Sequence, residues 1–283
     1  MTEMTSRDAP TQQVSVAAES WAYRRFGGST SGGPPLLLLP TFRANLDAWD
    51  PLLVDALALQ RDVVLLDLAG IGRSTGLVPS TVTAMARDVV RFLGAIGVEA
   101  PVDVLGHGLG GMVAQELALL HPQLVRRLVL AATAARGDGR SHRWAPDVSR
   151  LATSSELRPD AVLKLLFEIT DRSQAKGLEY LARVATRVAD RDWPPTDQAR
   201  AAQYEAVNDW ASPEQGKLDR LRGIAVPTLV ACGDNDIAAS SESSRLLADH
   251  LPNAWLRVYP DSGHGFLFQY PLEFATLVTL FLE

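Results

Sequence analysis

The chain is short of cysteine, of charge and of long apolar runs, and each shortage excludes something. Its one cysteine, Cys232, has no partner among 283 residues, so no internal disulfide can staple the fold. Charged side chains are only 21% of the total, the net charge is -6 and the pI is near 5.4; no Lys/Arg cluster interleaves with aromatics to hold a phosphate backbone. Nucleic acid is therefore not an expected partner. No uncharged apolar stretch reaches the roughly 18 residues that span a bilayer, so no membrane partner is expected either. The opening Met1-Thr-Glu-Met-Thr-Ser-Arg-Asp8 lacks the apolar core of a signal peptide, and with an unpaired cysteine this makes a cytoplasmic location the expectation. Clustered His, Cys and carboxylate spacings are missing, and Gly106-His-Gly-Leu-Gly110 lacks the glycine spacing of a dinucleotide loop, so neither a metal nor an organic cofactor is implied. The expected partner is a small-molecule substrate, and the chain is expected to be a monomer or homodimer.

What is present is a large apolar fraction, 47%, enough to bury one substantial core. Residues 1–12 are polar, contain Pro10 and read as a flexible tail. Val14 to Ala18 and Trp21 to Phe26, separated by Glu19-Ser20, read as an antiparallel pair, with a Gly/Ser/Pro-rich turn at 29–35. Short, almost wholly apolar runs follow at Leu36-Leu39, Val63-Leu68, Val102-Leu105, Leu128-Ala132, Thr228-Cys232 and Trp255-Tyr259, the pattern of strands covered on both faces. Between most of them lie segments of helical period: Leu46 to Leu59, Thr81 to Ile96, Leu109 to His121, Ser240 to Leu251 and the closing Pro271 to Leu282. This alternation predicts an α/β protein with a doubly wound, mainly parallel sheet. Residues 135–221 break the alternation with helical patterns such as Ala161 to Thr170 and Lys176 to Val188, and are expected to form a helical insertion between core segments 13–134 and 222–283. Trp144, Trp193 and Trp210 in that insertion either pack it together or line a ligand cavity, and packing is the commoner role for any one of them.

Five fragments at strand ends carry chemistry. They are Pro40-Thr41-Phe42-Arg43, Asp67-Leu-Ala-Gly-Ile-Gly-Arg-Ser74, Gly106-His-Gly-Leu-Gly-Gly111, Gly233-Asp-Asn-Asp236 and Asp261-Ser-Gly-His-Gly265. His264 stands between two glycines, which let the backbone carry an imidazole into a cleft, where it can accept and return a proton near neutral pH. His121 and His250 close helices, His142 lies in the insertion, and each is better read as structural or solvated. In their order and placement the five fragments resemble the α/β-hydrolase family, from about Trp21 to the C terminus.

That resemblance implies the α/β-hydrolase fold with residues 135–221 as a helical cap inserted after the sixth strand, and a site beyond the carboxyl ends of the strands. It also implies roles: His264 as base, Asp236 as its orienting acid, and the backbone N–H groups of Phe42 and Leu109 as the oxyanion hole. Thr41, Arg43, His107 and Trp144 are expected around the substrate; Thr41 adds a hydroxyl where the family usually reads His-Gly, and His107 supports the elbow. Asp234 is read as a turn-former and Asp138 as loop.

At the apex of the elbow, where the family carries its nucleophile, stands Gly108, which has no side chain. Neither Cys232, in a buried strand, nor Ser262, on the wrong side of the expected cleft, is expected to replace it. Three readings follow. The chain is a carboxyl ester, lactone or thioester hydrolase whose apical serine is replaced; or an enzyme using the His264-Asp236 dyad as a general base without covalent catalysis, of lyase, cyclase or hydrating type; or a ligand-binding module without catalysis. The first accounts best for the base, the acid and the elbow glycines all remaining in register.

Overall fold

The computed structural model describes residues 4–28, 33–98, 101–139 and 144–283, so His142 and part of the 29–35 turn lie outside the described residues. Eight strands form one sheet: β1 (Gln12–Val16), β2 (Glu19–Phe26), β3 (Leu36–Leu39), β4 (Val63–Leu66), β5 (Val102–His107), β6 (Val125–Ala131), β7 (Thr228–Gly233) and β8 (Ala254–Tyr259), in the order β1-β2-β4-β3-β5-β6-β7-β8. The first two pairings, β1 with β2 and β2 with β4, are antiparallel and all others parallel. This is the mainly parallel sheet that the apolar runs predict, and β3, β4, β5 and β7 are buried at every position, as strands covered by helices on both faces must be. The helices are α1 (Pro51–Ala58), α2 (Val82–Ala95), α3 (Leu109–Leu120), α4 (Pro146–Ala152), α5 (Pro159–Leu166), α6 (Asp171–Val184), α7 (Asp197–Ala211), α8 (Gln215–Leu218), α9 (Ser241–His250), α10 (Phe266–Gln269) and α11 (Pro271–Phe281). Two apolar cores result, one on each face of the sheet.

Three expectations need correction. The turn between β1 and β2 falls at Ala17-Ala18, not at Glu19-Ser20, because Ala17 adopts a left-handed φ of 55° without the glycine that usually marks such a turn. The helix expected over Leu46 to Leu59 is broken at Trp49, and α1 starts at Pro51, the first-turn position proline tolerates, with the Asp50 carboxylate accepting from the Leu52 N–H at 3.0 Å. Residues 4–11 also pack rather than trail: Ala9 is fully buried, the Ser6 N–H donates to Asp55 Oδ1 at 2.6 Å, and Arg187 Nη1 donates to the carbonyls of Ser6, Arg7 and Ala9.

Between β6 and β7 the described chain contains helices and no strand, and this segment lies over the carboxyl ends of the strands. Trp210 on α7 anchors it. The indole is 2% exposed, its Nε1–H donates to the Ala134 carbonyl at 3.0 Å, and the Arg136 guanidinium lies 5.4 Å from the ring centroid. Arg183 on α6 adds a charge-assisted pair with Asp50 at 2.6 Å. Trp193, by contrast, is 64% exposed, with the Arg73 guanidinium 5.6 Å from its ring centroid. Replacement Trp210→Phe, which removes the indole donor and leaves a void, is expected to cost about 1–3 kcal/mol by urea denaturation, whereas Trp193→Phe should change stability by less than about 0.5 kcal/mol.

Candidate active site

Parallel register brings the site together. Leu39 of β3 lies opposite Gly106 of β5, so two residues further on Thr41 and Gly108 leave the sheet side by side. Likewise Gly233 of β7 is opposite Tyr259 of β8, and the loops beyond them carry Asp236 and His264. His264 Nδ1–H donates to Asp236 Oδ2 at 2.8 Å, and Asp236 Oδ1 accepts the N–H groups of Ala238 at 2.7 Å and Ala239 at 2.9 Å. Both residues are buried. With Nδ1 donating, Nε2 is the bare nitrogen of the neutral ring, and the Thr41 hydroxyl donates to it at 3.1 Å. Asp234, read as a turn-former, instead braces the neighbouring loop, accepting the N–H groups of Asp261 and Ser262, each at 3.1 Å.

Gly108 is the pivot between β5 and α3, with φ 53° and ψ -114°. Its N–H donates to Ala131 O at 3.0 Å, and its carbonyl accepts the Thr133 hydroxyl at 2.7 Å. A Cβ built on Gly108 would overlap Thr41 Oγ1 and come to 2.9 Å from His264 Nε2. The volume of a residue-108 side chain is thus already filled by the Thr41 hydroxyl. Gly110 has a different reason to be glycine, since a Cβ there would overlap the Leu39 carbonyl and separate α3 from β3.

The expected oxyanion donors, the N–H groups of Phe42 and Leu109, line the same cavity as His264 and donate to no protein acceptor among the described residues. Leu109 opens the twelve-residue helix α3, whose first N–H groups point toward the positive end of its dipole. The cavity holds about 250 Å³ and is overwhelmingly apolar, with Leu157, Val162, Leu165, Leu166, Leu181 and Val184 of the helical segment as one wall. Trp144 lines it too, edge-on to Phe42 at 5.4 Å, while its Nε1–H donates to Ala238 O at 3.0 Å.

Two residues expected at the substrate have other engagements. Arg43 borders the cavity, but its Nη1 donates to the carbonyls of Ala152 at 2.7 Å and Ser154 at 3.0 Å, tying the β3 loop to the helical segment; burial, and then Arg200, push its guanidinium down to about 10. Its φ of 54° is held by an N–H bond to Gln203 Oε1 at 2.7 Å, a contact across 160 residues that no local pattern announces. His107 Nε2–H donates to the His264 carbonyl at 3.0 Å, and the two rings lie 4.7 Å apart. Burial first, and then the neighbouring His264, hold His107 well below the usual imidazole range, so it stays neutral beneath the loop it supports. Cys232 and Ser262 stay out of the chemistry: burial pushes the thiol up to about 11, and the Ser262 hydroxyl donates to Tyr259 O at 2.9 Å. Asp138 accepts the Ser243 hydroxyl at 2.6 Å.

Comparison with known proteins decides the family, because residues 34–271 match the model of the alpha/beta hydrolase fold. The chain belongs to the α/β-hydrolase family. A relative from Azorhizobium caulinodans, a carbamate hydrolase by name (RutD), is 34% identical over 238 residues, 83% of this α/β-hydrolase and 85% of the relative. An alpha/beta hydrolase fold protein from Chitinophaga pinensis superposes with TM-score 0.92 at 33% identity, covering 99% of each chain. An N-acyl homoserine lactone degrading enzyme superposes with TM-score 0.72 at 27% identity, covering 95% of this chain and all of its own.

Two measurements follow from the geometry. Gly108→Ala places a Cβ against Thr41 Oγ1 at a left-handed φ, and is expected to cost about 1–3 kcal/mol in urea denaturation, with a smaller penalty in a Thr41→Ala background. For His107, the unfolded ring binds a proton below about pH 6.5 while the folded ring does not, so stability falls as pH drops through that value, by up to about 1.4 kcal/mol per unit. The slope of stability between about pH 7 and 5 should be shallower in His107→Gln; an identical slope would mean that His107 titrates equally in both states.

Proposed function

We propose that this α/β-hydrolase hydrolyses a small, mostly apolar carboxyl ester, lactone or thioester, with His264 as the proton acceptor. The observation that carries this reading is the chain of contacts Asp236–His264–Thr41, which ends in a bare Nε2 beside a hydroxyl at the edge of an apolar cavity. Asp236 holds the imidazole in the tautomer that leaves Nε2 free and stabilises the imidazolium formed when it takes a proton. The N–H groups of Leu109 and Phe42 receive the negative charge that develops on the carbonyl oxygen. His107 holds the His264 backbone, and Trp144 and Arg43 shape the cavity and fasten its lid.

The cavity limits the substrate. About 250 Å³ lies below the roughly 300–1,000 Å³ of pockets for drug-sized ligands, and its wall offers few partners for a charged acyl chain. Relatives named for carbamate hydrolysis and for lactone degradation act, by those names, on acyl carbonyls, which supports the same reaction class here. The helical segment, read as a cap over residues 135–221, supplies the wall and so selects the acyl group.

The test is hydrolysis of p-nitrophenyl acetate, p-nitrophenyl butyrate and a panel of short-chain lactones. His264→Ala is expected to lower kcat/KM on the order of 10²–10⁴-fold, and Asp236→Asn by a comparable factor, with both variants still folded. Turnover that is indifferent to His264→Ala would overturn the reading. So would silence of the unaltered protein across the panel, with a ligand that only raises Tm, which would make it a binding module.

A further inference from the structure

Resting on the reading of the site as an acyl hydrolase, we propose that Thr41 is its nucleophile: the hydroxyl that attacks the substrate comes from the loop after β3, and Gly108 is the vacancy that admits it. Thr41 Oγ1 lies at hydrogen-bond distance, 3.1 Å, from His264 Nε2, and His264 is in turn held by Asp236 at 2.8 Å, which is the nucleophile–base–orienter arrangement of covalent acyl transfer. The hydroxyl occupies the volume that a Cβ at position 108 would fill. A side chain at 108 and the Thr41–His264 bond therefore exclude each other, so the glycine is a requirement of the arrangement and not a gap in it.

The other candidates are committed elsewhere. Among the described residues lining the cavity, hydroxyl groups belong only to Thr41 and Tyr180, and the Tyr180 hydroxyl donates to Ala48 O at 2.8 Å while burial pushes it far above its ordinary range. Thr133 donates to the Gly108 carbonyl, Ser262 to Tyr259, and the Cys232 thiol is buried in β7. The loop that carries Thr41 is also fixed. Its carbonyl accepts the Ala44 N–H at 3.1 Å, Arg43 is held through Gln203 and two carbonyls of the helical segment, and the Leu46 N–H donates to buried Asp67 at 2.9 Å. A nucleophile must be held in this way to attack from one direction.

The step balances without any further reagent than water. Thr41 Oγ1 bonds to the acyl carbon as its proton passes to His264 Nε2. The carbonyl oxygen takes the charge, beside the Leu109 and Phe42 N–H groups. The bond to the leaving group then breaks, that group takes the proton from His264, and the acyl chain remains as an ester of Thr41. Water attacks this ester, gives a proton to His264, and the Thr41 oxygen departs and recovers it.

The experiment uses a fluorophosphonate, which releases fluoride and phosphonylates an activated hydroxyl, followed by intact-protein and peptide mass analysis beside ester turnover. The expected result is one adduct on the Thr41 peptide, lost in Thr41→Val and in His264→Ala and kept in Thr41→Ser, with ester turnover falling on the order of 10³-fold or more in Thr41→Val and recovered in Thr41→Ser. Turnover that needs His264 but is unchanged in Thr41→Val, or an adduct on another residue, would overturn the assignment of Thr41 and leave the hydrolase reading standing with His264 acting directly on water. Absence of any His264-dependent turnover in the unaltered protein would overturn both.

Discussion

Residues 41 and 108 compete for one small volume, and the organisation of the site depends on how that competition is resolved. The register Leu39 opposite Gly106 on adjacent parallel strands brings the two positions side by side just beyond the strand ends, with His264 facing both. Only one of them can point a side chain at Nε2. Here the elbow yields and the neighbouring loop fills the space, so the hydroxyl reaches the base from β3 instead of from the apex between β5 and α3. On this account the proton path is conserved in kind while its first member changes strand.

That exchange places a demand on the loop after β3. Such a loop would ordinarily need only a backbone N–H in place; here it must also hold a side chain. The structure meets the demand with contacts from far along the chain: Gln203 on the Arg43 N–H, the Ala152 and Ser154 carbonyls on the Arg43 guanidinium, and Asp67 on the Leu46 N–H. The helical segment is thereby coupled to the loop that carries Thr41 as well as to the cavity wall. The Gly265 N–H donating to the Leu166 carbonyl at 2.6 Å ties the same segment to the His264 loop. Helical segment, His264 loop and Thr41 loop are thus tied to one another around a small apolar cavity.

Strands β3, β4, β5 and β7 were legible because burial on both faces writes continuous apolar runs. β8 also falls at its run, but it is an edge strand with Trp255 and Arg257 exposed and is not covered on both faces as the run implied. Boundaries inside the helical segment were less legible. The patterns over Ala161 to Thr170 and Lys176 to Val188 overlook the break at Phe167–Thr170, where Phe167 turns extended and the Thr170 hydroxyl accepts the Ser173 N–H to start α6; α7, rich in alanine and polar residues, has too weak a stripe to be singled out. His264 and Asp236 each announce themselves by a local glycine-marked loop, and the structure brings them to 2.8 Å. The Thr41–His264 contact does not, because it depends on strand register and on an absence at position 108, neither of which is a property of the residues around Thr41. The same holds for Arg43, whose partners lie more than 100 residues away.

The most direct test is a crystal structure with a short alkylboronic acid, which forms a reversible tetrahedral adduct with an activated hydroxyl and mimics the acyl-transfer intermediate. The account predicts boron bonded to Thr41 Oγ1, one boronate oxygen at hydrogen-bond distance from the Leu109 N–H, and His264 Nε2 beside another. Boron carrying only water-derived oxygens next to His264, with the Thr41 hydroxyl unbonded or turned away, would contradict it.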